Sequence, residues 1–361
     1  MADGQTILSR TFIAFFESER AGGVLLIFCT LLALTLANSS LGPSYQQFWR
    51  AEVAGLTIEH WVNDGLMAVF FLFIGLELER ELYVGELSSF KSALLPLFAA
   101  IGGIAFPALI HFGLNAGSAT QAGAGIPMAT DIAFALGALA LLGSRVPASL
   151  KIFLTALAVM DDLGAIIVIA MFYTDHVATG YLLGGALMWF LMMKSGVHAT
   201  IAGVMLAFAI PFSSKAEDQR SPSHYLEHRL HKPVAFMILP VFALANTALV
   251  IGPGWQQGLL TANSLGIIGG LVIGKPLGIV LVTFLVVGIG VCRLPPDLGW
   301  RHILGAGILG GIGFTMSIFI ANLAFSGQAD VINESKIAIL LASICAGGAG
   351  FLWLRMATNE K

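Results

Sequence analysis

Charge is what this sequence has least of. Only 11% of its 361 residues are Asp, Glu, Lys or Arg, less than half the share usual in soluble domains. A soluble body of this size could not clothe its exterior with 18 basic and 21 acidic side chains. Polar stretches are scarce too. The longest lie at 39–57 and 213–232, so no soluble domain fits anywhere. The three cysteines, Cys29, Cys292 and Cys345, stand singly in or beside apolar runs, which argues against a disulfide framework or a cysteine metal site. Basic tracts are missing, the net charge is −3, and nothing points to nucleic acid. A phosphate-binding loop of the Gly-Lys-Ser/Thr type is missing as well, so nucleotide-driven chemistry is not expected. No small-residue cleavage site follows the amphipathic start around "TFIAFF", and a signal peptide is not expected.

What remains is apolar. Hydrophobic residues make up 57% of the chain and the mean hydropathy is +0.87, which makes lipid the solvent for most of it and the protein polytopic. Crossing the hydrocarbon core takes about 20 apolar residues. By that measure spans fall near 21–38, 58–78, 92–114, 125–143, 150–173, 233–251, 264–291, 302–325 and 335–355, with two short candidates in 178–212, eleven hydrophobic segments in all. Lys and Arg collect in the loops holding Arg80 with Lys91, Arg145 with Lys151, and Lys215 to Lys232. The positive-inside rule then puts the amino terminus in the cytoplasm. Two full crossings in 178–212 would break that rule for every later loop, so we expect a single net crossing there.

The string "ALAVMDDLGAIIVIA" sets two aspartates, Asp161 and Asp162, near the middle of a span, where a carboxylate costs roughly 2.5–3.5 kcal/mol on insertion scales. Neither can reach water by snorkelling, and such residues mark ion and proton pathways. Lys275, near the middle of "GGLVIGKPLGIVLV", is a buried ammonium that calls for a carboxylate, and Asp161 or Asp162 is the natural partner. Two spans look interrupted: "GAGIPMATDIAFALG", with Pro127 ahead of Thr130 and Asp131, and "GAGILGGIGFTMSIF", with five glycines clustered mid-span. Broken helices leave backbone groups unpaired at membrane depth, tolerable beside a cavity or a compensating charge. Asp131 would neutralise the positive ends of half-helices. Glu77, in "GLELERE", reads as one of a charge cluster at the rim with Arg80 and Glu81.

The strings "NDGLMAVFFLFIGLELERE", "ATDIAFALGALALLGSRVPASLKIFLTALAVMDDLGAI", "KSGVHATIAG", "LVIGKPLGI" and "GILGGIGFTMSIFIANLAF" resemble the NhaA family of bacterial sodium/proton antiporters over nearly the whole chain. The resemblance implies one all-α transporter domain over 1–361, with inverted repeats in 92–173 and 264–355 and two broken helices crossing at mid-membrane. It implies Asp162 as the principal sodium ligand, Asp161 as partner of Lys275, and both carboxylates in proton exchange. Thr130 and Asp131 would lie at the crossing, and Glu77, His198, Glu227 and His228 at positions of the pH response. It also implies an inner-membrane carrier of sodium, or lithium, driven by the proton gradient, without cofactor and with a homodimer as its assembly. Two departures stand out: 39–57 is short for a dimerising hairpin, and 178–212 has no room for the family's three helices. Competing readings are a non-transporting homologue and an intramembrane aspartyl protease, whose Gly-x-Gly-Asp signature is missing here.

Overall fold

A computed structural model describes residues 19–83, 90–172, 199–210, 221–252 and 254–358. Helix α1, Glu19–Ala37, turns Val24, Phe28 and Leu31 outward, as a lipid-facing helix should. It bends by 113° into α2, Gly42–Arg50. A small antiparallel hairpin follows, β1 Glu52–Val53 with β2 Leu56–Thr57, paired Glu52 to Thr57 and Val53 to Leu56. Its two-residue turn needs φ > 0 at both positions, and Ala54 and Gly55 adopt φ of 53° and 83°. The stretch that looked short for a hairpin therefore holds one, with two residues per strand.

Next come α3, Ile58–Tyr83, and α4, Phe90–Asn115. The 3-10 segment Gln121–Met128 leads into α5, Ile132–Leu142, and then α6 covers Ala148–Phe172. Helix α7 is Ala199–Ala209. Helix α8 runs from Pro222–Pro233 through a π turn, Val234–Ile238, into Leu239–Asn246. It begins well before the span expected from 233, because Ser221 accepts from the His224 N–H and Pro222 occupies the first turn, both strong start signals in a stretch too polar to register as apolar. Helix α9 is Ala262–Gly288. Helices α10, Trp300–Gly310, and α11, Phe314–Ala324, bend by 44° at their junction. Helix α12, Ala329–Ala357, starts six residues ahead of the expected 335. Among the described residues five helices are long and apolar enough to cross a membrane, or seven when each bent pair counts as one span. This is a multi-pass membrane protein.

Contacts between helix ends fix the orientations. Arg80, late in α3, pairs with Glu227, early in α8, at 2.8 Å, and Glu81 shares a pocket of about 210 Å³ with Lys151 of early α6. Those ends define one face, here called the basic face. Helix α6 runs away from it, so Phe172 ends at the opposite face. Helix α7 lies parallel to α3: Gly203 packs on the Ala68 backbone and Gly75 on Ala207. It therefore carries the chain back towards the basic face, and the second half keeps the orientation that the basic loops require. Residues 178–198, which include one of the two short candidates, lie outside the described residues. Close packing of α4 on α9 depends on two glycines, since a Cβ on Gly102 or Gly278 would strike the other's carbonyl. That approach brings α9 near the two interrupted helices.

Candidate functional site: two interrupted helices and three buried carboxylates

The first interruption is at Ala129, Thr130 and Asp131, which lie outside any helix, with the backbone extended at Ala129 and Asp131. The second is at Gly311, Ile312 and Gly313. They cross each other, and the Asp131 N–H donates to the Ile312 carbonyl at 2.6 Å. Buried backbone groups must find partners, and here side chains supply them. The Ser317 hydroxyl donates to the Ile126 carbonyl at 2.7 Å, and Lys275 Nζ donates to the Met128 carbonyl. The Phe314 N–H donates to Ser343 Oγ at 3.2 Å.

Asp131 serves two half-helices. Its Oδ1 accepts from the Phe134 N–H at 3.1 Å, capping α5, and its Oδ2 accepts from the Thr315 N–H at 3.0 Å and the Thr315 hydroxyl at 2.5 Å, in the first turn of α11. Each helix start carries about half a positive charge, so one carboxylate offsets two like ends brought face to face. Lys275 acts in the opposite sense, placing its ammonium on the carbonyl that ends the 3-10 segment.

Asp161 Oδ2 lies 2.7 Å from Lys275 Nζ, and both side chains are fully buried. The same oxygen is 2.6 Å from Thr130 Oγ1, which also lies 3.0 Å from the Gly310 carbonyl. A hydroxyl has one proton, so Thr130 serves one of these acceptors at a time. Asp161 Oδ1 and Asp162 Oδ1 are buried with no hydrogen-bond partner among the described residues. Asp162 is 1% exposed, yet it lines the inner end of a cavity of about 600 Å³ with Asp131, Thr315 and Thr155.

That cavity opens at the basic face past Glu77, Arg80, Glu227 and His228. Arg80 is the hub of this mouth, 2.8 Å from Glu227, 2.9 Å from Glu81 and 3.8 Å from Glu77. Burial raises the Glu227 carboxyl above the ordinary carboxylate range, while the charges of Arg80 and His224 pull it back down. Glu79 turns away from the mouth, buried and accepting from Ser223 Oγ at 2.7 Å. Thus Asp131, Asp162, Glu77, Glu227 and His228 share one cavity, Asp161, Lys275 and Thr130 form the wall behind it, and His198 lies outside the described residues. Sequence reasoning missed Thr315, Ser317 and Ser343. The string "GFTMS" after the glycine cluster was the available signal, hydroxyls placed just where a helix restarts.

A multi-pass helical protein whose two interrupted helices cross at buried carboxylates, at the end of an aqueous-sized cavity, has the architecture of a secondary carrier. Comparison with known proteins goes further. The model of the family described as Na+/H+ antiporter 1 matches residues 13–185 and 176–354. The chain is 71% identical to the Na(+)/H(+) antiporter NhaA of Dechloromonas aromatica (strain RCB), covering 98% of each. It is 56% identical to Na(+)/H(+) antiporter NhaA 1 of Flavobacterium johnsoniae, over 98% of this chain and 99% of that one. With the Na(+)/H(+) antiporter NhaA of Vibrio campbellii it shares 45% identity, over 96% and 95%. The chain belongs to the Na+/H+ antiporter 1 family. The first two alignments run over 380 and 381 residues, longer than the chain itself, so these relatives carry residues without a counterpart here. The two family matches overlap at 176–185, at the start of 178–212.

Proposed function

We propose that this protein exchanges sodium for protons across the bacterial inner membrane, with its basic face and amino terminus in the cytoplasm. The observation that carries the reading is a pair of carboxylate oxygens without a hydrogen-bond partner among the described residues: Asp162 Oδ1, on a residue lining the inner end of the cavity that opens at the basic face, and Asp161 Oδ1, on the neighbouring residue in the wall behind it. A buried unpaired carboxylate oxygen is costly, and either a proton or a hard cation relieves that cost. Sodium prefers oxygen ligands. Asp162 supplies the charge that balances it, and Asp161, held by Lys275, supplies the neighbouring oxygen. Proton and sodium compete for the same oxygens, so presenting the site alternately to each side converts competition into exchange driven by the proton gradient.

The orientation rests on Arg80, Arg145, Lys151, Arg229, Lys232, Arg293, Arg301 and Arg355, all of which fall at the basic face once the helices are followed in order. The shortened segment does not weaken the reading, because every residue of the crossing comes from 126–162 or 275–343. Those two stretches lie in the groups 92–173 and 264–355, each with its interrupted helix in the middle, which supports a single transporter domain built from two repeats. A homodimer would place the hairpin β1–β2, at the opposite face, against its copy. Purified protein in liposomes tests the function: a sodium gradient should drive proton movement with wild type and none with Asp162→Asn. Equal proton movement with and without the sodium gradient would refute it.

A further inference from the structure

A second buried ammonium takes no part in the crossing. Lys336, in the second turn of α12, is 5% exposed, and an intramembrane lysine is expensive enough to mark a functional position. Its hydrogen-bond partner among the described residues is Asn246 Oδ1, at 3.4 Å, and Glu59 acts on it only through space. Asn246 ends α8 and is fully buried. Its Nδ2 donates to Asn63 Oδ1 at 2.7 Å, and its Oδ1 accepts from Asn322 Nδ2 at 2.7 Å. One amide thus ties α3, α8, α11 and α12 together.

Helix geometry locates this knot. Along α3, Asn63 stands about 21 Å from Glu77, and along α8, Asn246 stands about 22 Å from His231. Glu77 and His231 line the cavity that opens at the basic face, so the knot lies towards the opposite face. Along α11, Asn322 is about 10 Å beyond Thr315, the residue joined to Asp131. Between crossing and knot the buried rings of Phe71 and Phe319 pack 5.4 Å apart. None of Asn63, Asn246, Asn322 and Lys336 lines the cavity that reaches Asp162.

A carrier must close one face of its site while the other is open. We propose that Asn63, Asn246, Asn322 and Lys336 form the gate at the opposite face, tied in the conformation described here and untied when the site empties to that side. The proposal rests on the exchange reading only in needing a site that changes sides. Helix α11 links site to gate: Thr315 in its first turn holds Asp131 and Asn322 in its last holds Asn246, so a rigid tilt at the crossing pulls on the knot. Amide hydrogen bonds suit such a gate, because water replaces them at little net cost when it opens. The ammonium adds a positive field that opposes leakage of a cation past the closed gate.

Side-specific thiol labelling tests the gate. In a protein without its native cysteines, Met316→Cys puts a thiol in the cavity beside the crossing, and an impermeant maleimide is applied to right-side-out and to everted vesicles without sodium. Lys336→Met and Asn246→Ala should each speed labelling from the opposite face about three- to tenfold, the population shift expected from losing one such bond. Asn322→Ala, at a half-buried position, should do the same where a deeper substitution fails to insert. Asn263→Ala, which cuts the neighbouring His111, Asn263 and Ser335 chain and leaves the knot tied, should change neither rate. Unchanged labelling from the opposite face in the knot variants, or an equal rise from both faces as general loosening would give, overturns the gate. Labelling needs no ion gradient, so a parent protein that switches sides without exchanging sodium would sink the antiport reading and leave the gate standing.

Discussion

Asp131→Ala removes the acceptor of three hydrogen bonds in one step: those from the Phe134 N–H, the Thr315 N–H and the Thr315 hydroxyl. Bonds to a charged acceptor contribute about 1.5–3 kcal/mol each, and the two helix starts add about 0.3–1 kcal/mol apiece. Removing the buried charge itself returns part of this, so we expect a net loss of about 3–5 kcal/mol. Asp131→Asn keeps the shape and one acceptor oxygen. With that oxygen on the Phe134 N–H, its amide nitrogen faces the Thr315 N–H donor, and roughly half the loss remains. Thermal unfolding in detergent, followed by gel filtration of a fluorescent fusion, should rank wild type above Asn above Ala. Thr315→Val removes only the hydroxyl, and its cost should be non-additive with Asp131→Asn, with a coupling of about 1 kcal/mol or more. Wild-type stability in Asp131→Ala, or strict additivity in the double variant, would refute the shared cap.

The Asp161 and Lys275 pair predicts that either Asp161→Asn or Lys275→Met alone costs about 3–5 kcal/mol, since each leaves a buried partner uncompensated. The double variant should recover part of that loss in the same assay while remaining inactive. At the mouth, Glu227 ionises above the ordinary carboxylate range, so rising pH adds negative charge there late, beside Arg80, Glu81, Glu77 and His224. Glu227→Gln should therefore weaken apparent sodium affinity a few-fold at alkaline pH and leave it unchanged at acidic pH, as read from the half-saturating sodium concentration of exchange. A single cysteine replacing exposed Tyr225 should react with impermeant maleimide from the cytoplasmic side alone. Reaction from the periplasm would invert the second half of the chain.

The sequence announces the parts of the site more readily than their connections. Mid-span Asp131, Asp161, Asp162 and Lys275 stand out because lipid-embedded charge is rare, and Pro127 and the glycine cluster mark both interruptions. The residues alone leave open which carboxylate meets Lys275, because Asp161 and Asp162 differ by about 100° around one helix; the family resemblance names Asp161, and the packing of α9 puts Lys275 against it. Thr315 and Ser317 pass unnoticed since hydroxyls are ordinary in membrane helices. Lys336 escapes because an apolar window opening at 335 puts it at a span edge, where a lysine is unremarkable, while the helix begins at Ala329 and buries it. The orientation of the second half was legible in its basic loops, and the Arg80 to Glu227 contact, between residues 147 apart in sequence, agrees with it. The contact itself has no local signature.

Sodium binding measured against pH bears most directly on the shared site. With purified protein and no membrane gradient, titrated by calorimetry at fixed ionic strength, a proton and a sodium ion competing for the same carboxylates require apparent affinity to strengthen as pH rises, by up to about tenfold per pH unit where one proton leaves for each sodium bound. Protons should be released into the buffer in step, and Asp162→Asn should bind no sodium at any pH. Sodium affinity independent of pH, or wild-type binding by a well-folded Asp162→Asn protein, would contradict the account.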